Sequence, residues 1–363
     1  MRVGIGALVG VLGGPATYAR ELVTALAAEP GDDTYVVFTD QPDAFAGLGV
    51  TTVHVPLRSI FHQVTWDHAR LPALIAREHV DLYHGTKNVL PWRLAVPGVV
   101  TVHDLAVYAC PETFAWPQRL HFQWTVPGSV RRAARVVTVS HHARGDIVAR
   151  FGLPPARVPV VSPGVAPAFF APPRAGAVPA LRTAYGLGEK LIACVGTIQP
   201  RKHVERVIEA FVRAGAAAQG WELVVAGRTR PGFAPPWLTS LPPGVHWVGP
   251  LRDEALRALY AAAEVAMSAS EYEGFGLTVA EAMAAGCAVV AVAATSIPEV
   301  VGRAGVLVPR SDPGLLAAAL GRLLAEPDAR AALATAGRTQ AAGFTWRETA
   351  RRMRAVYAEA LAG

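Results

Sequence analysis

Apolar and polar positions alternate along this chain in two rhythms. Short runs rich in Val, Ile and Leu, bounded by turn residues, recur at 3–7, 35–39, 52–55, 82–84, 99–102, 136–139 and 159–161. A run of that kind is the pattern of a buried strand. Stretches with apolar residues every three or four positions lie between them, notably 16–28, 66–78 and 141–150, and predict amphipathic helices. Residues 163–181, PGVAPAFFAPPRAGAVPAL, hold five prolines and interrupt the rhythm, as a domain crossing would. The alternation then restarts: LIACVG, a helix over 204–213, ELVVAG, VHWVG, a helix over 253–262, VAMSA, a further helix, and CAVVAV. Strand and helix in turn, twice over, predict an α/β protein of two doubly wound, Rossmann-like parallel-sheet domains, 1–168 and 169–345. Ligands of such domains sit at the carboxyl ends of the strands, which for two facing domains means a central cleft.

Composition narrows the picture. A chain of 363 residues with 52% hydrophobic and 17% charged residues has ample apolar material for two cores. The most apolar long segment, 280–294, contains Glu281 and reads as a buried helix and strand rather than a membrane span. The N-terminus runs from Arg2 straight into VGIGALVGVLGG without the parts of a signal peptide, a cytoplasmic start. Cys110, Cys194 and Cys287 are scattered and odd in number, which frames neither a disulfide set nor a zinc site. Lys plus Arg number 34 against 28 Asp plus Glu, a net charge of +6. No strongly basic module stands out, so nucleic acid is not the expected partner. An anionic small ligand, with transient contact to an anionic membrane surface, fits the mild positive balance better.

The chemistry concentrates in EYEGFGLTVAEAMAAGCAVVA, where Glu273 and Glu281 flank a Gly-Phe-Gly turn. Gly274 and Gly276 allow close approach of a ligand, and the amides of Phe275, Gly276, Leu277 and Thr278 open a helix. A helix N-terminus holds anions, so these amides would face a phosphate. Two carboxylates beside a phosphate cradle serve better as acceptors for sugar and ribose hydroxyls. Taken singly, Glu281 could be a first-turn acid and Glu273 a solvated loop charge. Together with both glycines they point to a site. A second device lies in CVGTIQPRKHVERVIEAF, where Gly196 ends a strand and Arg201 with Lys202 precedes a helix, a fork and a point charge suited to a diphosphate. Gly10, Gly13 and Gly14 precede the first helix, and amides there could reach a phosphate. Val9 occupies the third glycine position of a dinucleotide fingerprint, which argues against a nicotinamide dehydrogenase. His103 and Asp104 end the strand VVTVHDL, and His84 to Asn88, HGTKN, end the one before. His141 and His142 follow Ser140, a helix cap in pattern, and read as structural. No Asp-x-Asp triplet is present to carry a divalent ion, so no metal site and no cofactor are expected.

These motifs, over almost the whole chain, resemble the retaining glycosyltransferases of family 4, with the GT-B fold. The resemblance implies that Arg201 and Lys202 hold the donor diphosphate, Glu281 the ribose, and Glu273 with the amides after Gly274 the transferred sugar. It places His103 near the reacting sugar and acceptor, and Gly249 to Leu251 with Arg228 near the base. It also implies that the tail helix, 346–363, packs back on the N-terminal, acceptor-binding domain. Two departures, Ala269 where the family often has Pro and His203 where Asn is common, leave that chemistry untouched. The HGTKN to VHDL region most resembles bacterial mannosyltransferases of O-antigen or surface polysaccharide type. The expected reaction is therefore metal-independent hexosyl transfer from GDP-mannose to a glycan or lipid-linked acceptor. Alternatives are a small-solute or natural-product transferase using a UDP-sugar, and, in another class, a sugar-nucleotide 2-epimerase. Residues 116–135 interleave Trp116, Phe122 and Trp124 with Arg119, Arg131, Arg132 and Arg135. That segment is either a peripheral contact with the inner face of the cell membrane or a helix burying its aromatic face.

Overall fold

The computed structural model describes residues 1–8, 13–56 and 66–363; Val9 and Gly10 lie outside the described residues. The chain forms two compact units, Met1–Gly164 with Thr345–Gly363, and Val165–Phe344. The first is built on a six-stranded sheet of β1 (Arg2–Ala7), β2 (Thr34–Thr39), β3 (Thr51–His54), β4 (Leu82–Gly85), β5 (Gly98–Val102) and β6 (Arg135–Thr138), in the order β3-β2-β1-β4-β5-β6. The second is built on β7 (Lys190–Val195), β8 (Trp221–Ala226), β9 (Val245–Gly249), β10 (Ala263–Ser268), β11 (Ala288–Val292) and β12 (Val306–Val308), in the order β12-β11-β10-β7-β8-β9. Every pairing is parallel. Counted from each unit's first strand the two orders are the same, and the direction in which the chain steps across the sheet reverses between β1 and β4 and between β7 and β10. Loops leaving the two strands at such a point diverge and open a crevice at their carboxyl ends.

The expected doubly wound architecture is therefore present in both units, and its cores explain the apolar runs. All five residues of β11 are buried, as a central parallel strand covered on both faces must be. The Val204–Arg213 helix buries Val204, Val207, Ile208 and Phe211, an i, i+3, i+4, i+7 stripe, against that sheet. Phe211 alone, fully buried, stabilises the unit by roughly 1.5–3 kcal/mol.

Three expectations need correction. Residues 159–161 make only a single bridge between Val160 and Thr138, because Pro159 and Pro163 lack the N–H groups a longer ladder needs. The expected 66–78 helix is split into a wide turn, Trp66–Arg70, and an α-helix, Leu71–Arg77. Pro72 cannot donate to the preceding turn, so the helix restarts around it. The 116–132 segment is a helix, but its tryptophans do not face inward. Trp116, Leu120 and Trp124, spaced by four, form one stripe exposed by 71%, 46% and 74%, and Trp92 packs edge-on against Trp124 at 5.7 Å. Among the described residues no helix is long and apolar enough to cross a membrane.

Candidate functional site

Arg201 and Lys202 sit in a short turn after β7, and Glu273 in the loop after β10, on the two sides of the second unit's crevice. Arg201 Nη1 lies 3.4 Å from Glu273 Oε2 and donates to the Tyr272 carbonyl, while Lys202 Nζ pairs with Glu273 Oε1. Burial pushes the Glu273 carboxyl up, but Lys202 and Arg201 together outweigh it and bring its pKa down to about 2. The carboxylate is therefore ionised at every physiological pH.

The loop that carries Glu273 is tied down at several points. Its backbone N–H donates to Thr295 Oγ1 at 2.9 Å, and Ser296 Oγ donates to the Glu273 and Phe275 carbonyls at 3.0 and 2.9 Å. Thr295 is β-branched yet has φ of 52°, a conformation costing about 1–3 kcal/mol that occurs where function or packing over-determines it. Gly276 caps the Leu277–Ala285 helix with φ of 99°, and a Cβ there would come within 2.6 Å of Ile297 Cδ1. Only glycine satisfies both constraints. Glu281 is buried within that helix. Its charge raises the Tyr260 hydroxyl pKa, second to the effect of burial.

The structure thus brings Arg201, Lys202 and Glu273 into direct contact, with Gly274, Phe275, Gly276, Leu277, Thr278 and Glu281 on the same loop and helix. Gly196 follows β7 and Gly249 ends β9, and their backbones are linked through β8 and Gly227: Gly196 N–H donates to the Ala226 carbonyl at 2.9 Å and Gly227 N–H to the Gly249 carbonyl at 2.8 Å. Leu251 follows Gly249. Arg228 is exposed, and its carbonyl accepts from Ile198 N–H at 2.9 Å.

His103, Gly13 and Gly14 belong to the other unit. There the Gly14–Ala28 helix offers less to an anion than its glycines suggest, since Pro15 has no N–H and the Ala16 and Thr17 amides bond the Gly13 carbonyl. His103 lies at the carboxyl end of β5, its ring edge-on to Tyr18 at 4.7 Å. Its Nε2–H donates to the Thr86 carbonyl at 2.7 Å, which leaves Nδ1 as an acceptor in the neutral ring. Burial holds the pKa of His103 below the ordinary value despite Thr86 and Asp104.

Several residues were not anticipated. Thr295 and Ser296 could have been suspected from a hydroxyl pair between a buried strand and Ile-Pro. Arg230 carried no local signal. His84, singled out near the end of β4, lies in a chain of buried groups whose other members carried no such signal: its Nδ1 meets Tyr357 OH at 2.8 Å and its Nε2 meets Thr101 Oγ1 at 2.7 Å. Ser140 caps its helix as expected, accepting from Ala143 N–H at 3.1 Å.

Comparison with known proteins gives this geometry a context. The profile described as Glycosyltransferase Family 4 matches residues 12–169, and that described as Glycosyl transferases group 1 matches residues 189–326. The chain is 29% identical over 297 residues to O-antigen chain mannosyltransferase B of Escherichia coli, covering 77% of this chain and 74% of that one. It is 34% identical over 324 residues to D-inositol 3-phosphate glycosyltransferase of Salinispora arenicola, covering 81% and 72%. Among solved structures, sucrose-phosphate synthase of Thermosynechococcus elongatus superposes with a TM-score of 0.77 over 99% of each chain at 24% identity, which identifies the GT-B fold.

Proposed function

Since the chain belongs to glycosyltransferase family 4, we propose that it transfers a hexose from a nucleoside diphosphate sugar to a glycan or lipid-linked acceptor, with retention and without a metal ion. GDP-mannose is the favoured donor, in keeping with the mannosyltransferase named above. The observation that carries the reading is the convergence of Arg201, Lys202 and Glu273 at the point where the strand order reverses. Charge grows on the leaving diphosphate as the glycosidic bond breaks. Two cations already oriented by Glu273, with the amides of Leu277 and Thr278, would stabilise that charge at little reorganisation cost. Glu273 would release Lys202 toward phosphate and accept hydroxyls of the transferred sugar, while Glu281 would accept from the ribose. The acceptor hydroxyl would attack from the face the diphosphate leaves, its proton passing to a departing phosphate oxygen. His103 Nδ1 would accept a hydrogen bond from the reacting sugar.

A second reading is a UDP-sugar donor with a small soluble acceptor; the D-inositol 3-phosphate in the name of one relative supports the small acceptor. The exposed Trp116, Leu120 and Trp124 stripe favours the first, because tryptophans beside arginines suit the interface of an anionic membrane at the cytoplasmic face, where a lipid-linked acceptor would be reached.

The test is turnover of a panel of GDP- and UDP-sugars after exhaustive chelation, with the product anomer read by NMR. Retained configuration and chelator-resistant release of the diphosphate are expected. Arg201→Ala or Lys202→Ala should lower turnover about 10²–10³-fold. Wild-type turnover in either variant, or activity that vanishes on chelation and returns with magnesium, would overturn the corresponding assignment.

A further inference from the structure

A third cation stands beside this pair. After β7 and β8 the two segments run on together: Ile198 N–H donates to the Arg228 carbonyl and Arg230 N–H to the Ile198 carbonyl, both at 2.9 Å, with a bridge between Ile198 and Thr229. That short extension carries Arg230 back toward the 200–202 turn. Its Nη1 donates to Gln199 Oε1 at 2.9 Å. Gln199 is 7% exposed, and its carbonyl accepts the backbone N–H of Lys202 at 3.0 Å, so Arg230 is anchored to the residue on which the cationic turn is built.

We propose that Arg230 is a donor-binding residue, completing with Arg201 and Lys202 a three-cation seat for the diphosphate of the nucleotide sugar. Placing a half-buried guanidinium beside a second one costs free energy in the empty protein. Burial first, and then the charge of Arg201, push Arg230 below its ordinary pKa. An anion between them would relieve that repulsion. The charge count fits: three cations and the carboxylate of Glu273 leave two positive charges, the match for the roughly two negative charges of a sugar-linked diphosphate. A monophosphate carries no second phosphoryl group to meet a third cation, so Arg230 would discriminate diphosphate from monophosphate. Arg228, which the family resemblance places in this loop, contributes its carbonyl to the extension, and Arg230 its guanidinium to the turn.

The inference rests on the nucleotide-sugar reading above, and one calorimetric experiment separates the two. Wild-type protein, Arg230→Ala, Arg230→Gln and Arg201→Ala are titrated with GDP and GMP, and with UDP and UMP, at two salt concentrations. Arg230→Gln removes the charge and keeps a polar amide on a shorter side chain. The expected result is a loss of diphosphate affinity of tenfold or more in both Arg230 variants, with monophosphate affinity nearly unchanged and a shallower salt dependence. Diphosphate-to-monophosphate preference equal to wild type in Arg230→Gln, with Arg201→Ala impaired, overturns this proposal alone. No diphosphate binding by the wild-type protein overturns the nucleotide-sugar reading and this proposal with it.

Discussion

At the scale of single residues, Glu273 shows how neighbours outweigh burial. Buried among apolar groups alone it would be protonated; paired with Lys202 and Arg201 it titrates near 2. Because the folded value lies below the ordinary 4.5, the stabilisation from this carboxylate is complete above about pH 4.5 and is lost as pH falls toward 2. Glu273→Gln should therefore destabilise the protein by about 1.5–3 kcal/mol at pH 7, the cost of removing a charged hydrogen-bond partner. Urea unfolding at pH 7 and pH 3 checks this: the gap between variant and wild type should narrow at pH 3. A constant gap would mean that the ion pairs contribute nothing to folding. The sequence marked Glu273 and the Arg201–Lys202 pair as separate devices, one for a sugar and one for a diphosphate. Their direct pairing was not legible, since Lys202 and Glu273 lie 71 positions apart.

At the scale of elements, the Leu277–Ala285 helix starts where it does because Gly276 adopts a left-handed conformation that no β-carbon tolerates cheaply. Gly276→Ala faces two separate penalties, the positive φ and the 2.6 Å approach to Ile297 Cδ1. A loss of roughly 1–3 kcal/mol is expected from the backbone, with a further amount from the contact. Ile297→Val removes that terminal methyl group. The double variant should recover the contact portion and not the backbone portion, as measured by urea unfolding of all four proteins. Full recovery would show that the conformation is not strained for alanine. This element was well marked in sequence, because a glycine before an apolar helical stripe is a local signal. The 66–78 helix was misread for a related reason: Pro72 was visible, but whether a helix bends or restarts at a proline depends on its neighbours.

At the scale of the whole first unit, the tail helix Trp346–Ala362 is fastened to the sheet by Tyr357, whose hydroxyl meets His84 273 residues away in the chain. Burial, and then the charge of His103, hold His84 at about 3, so the folded protein keeps it neutral while the unfolded chain takes up a proton below about 6.5. Stability should therefore fall as pH drops below 6.5, by about 2 kcal/mol at pH 5 from this histidine alone. His84→Asn cannot titrate and should flatten the pH dependence between 7 and 5 by about that amount; an unchanged slope would locate the dependence in other groups. Tyr357→Phe, retaining the ring but orphaning one His84 nitrogen, should cost about 1–3 kcal/mol by the same unfolding measurement.

The amino-acid sequence by itself determined the class of fold, two doubly wound α/β units, because strand and helix periodicities are local and repeat in the order that parallel sheets require. It also marked the Glu273 to Glu281 loop and the Arg201–Lys202 turn, whose glycines, charges and helix starts lie within a few residues of one another. Only the tertiary structure decided what those parts touch. The Lys202–Glu273 pair, the approach of Arg230 to Gln199 and the Tyr357–His84 bond join residues 71, 31 and 273 positions apart. The tryptophan stripe was decided there too, since an i, i+4, i+8 spacing says that Trp116, Leu120 and Trp124 share a face, while only packing determines whether that face meets the core or water. Such contacts leave no local pattern in the chain, because they arise where the sheet order brings distant strand ends side by side.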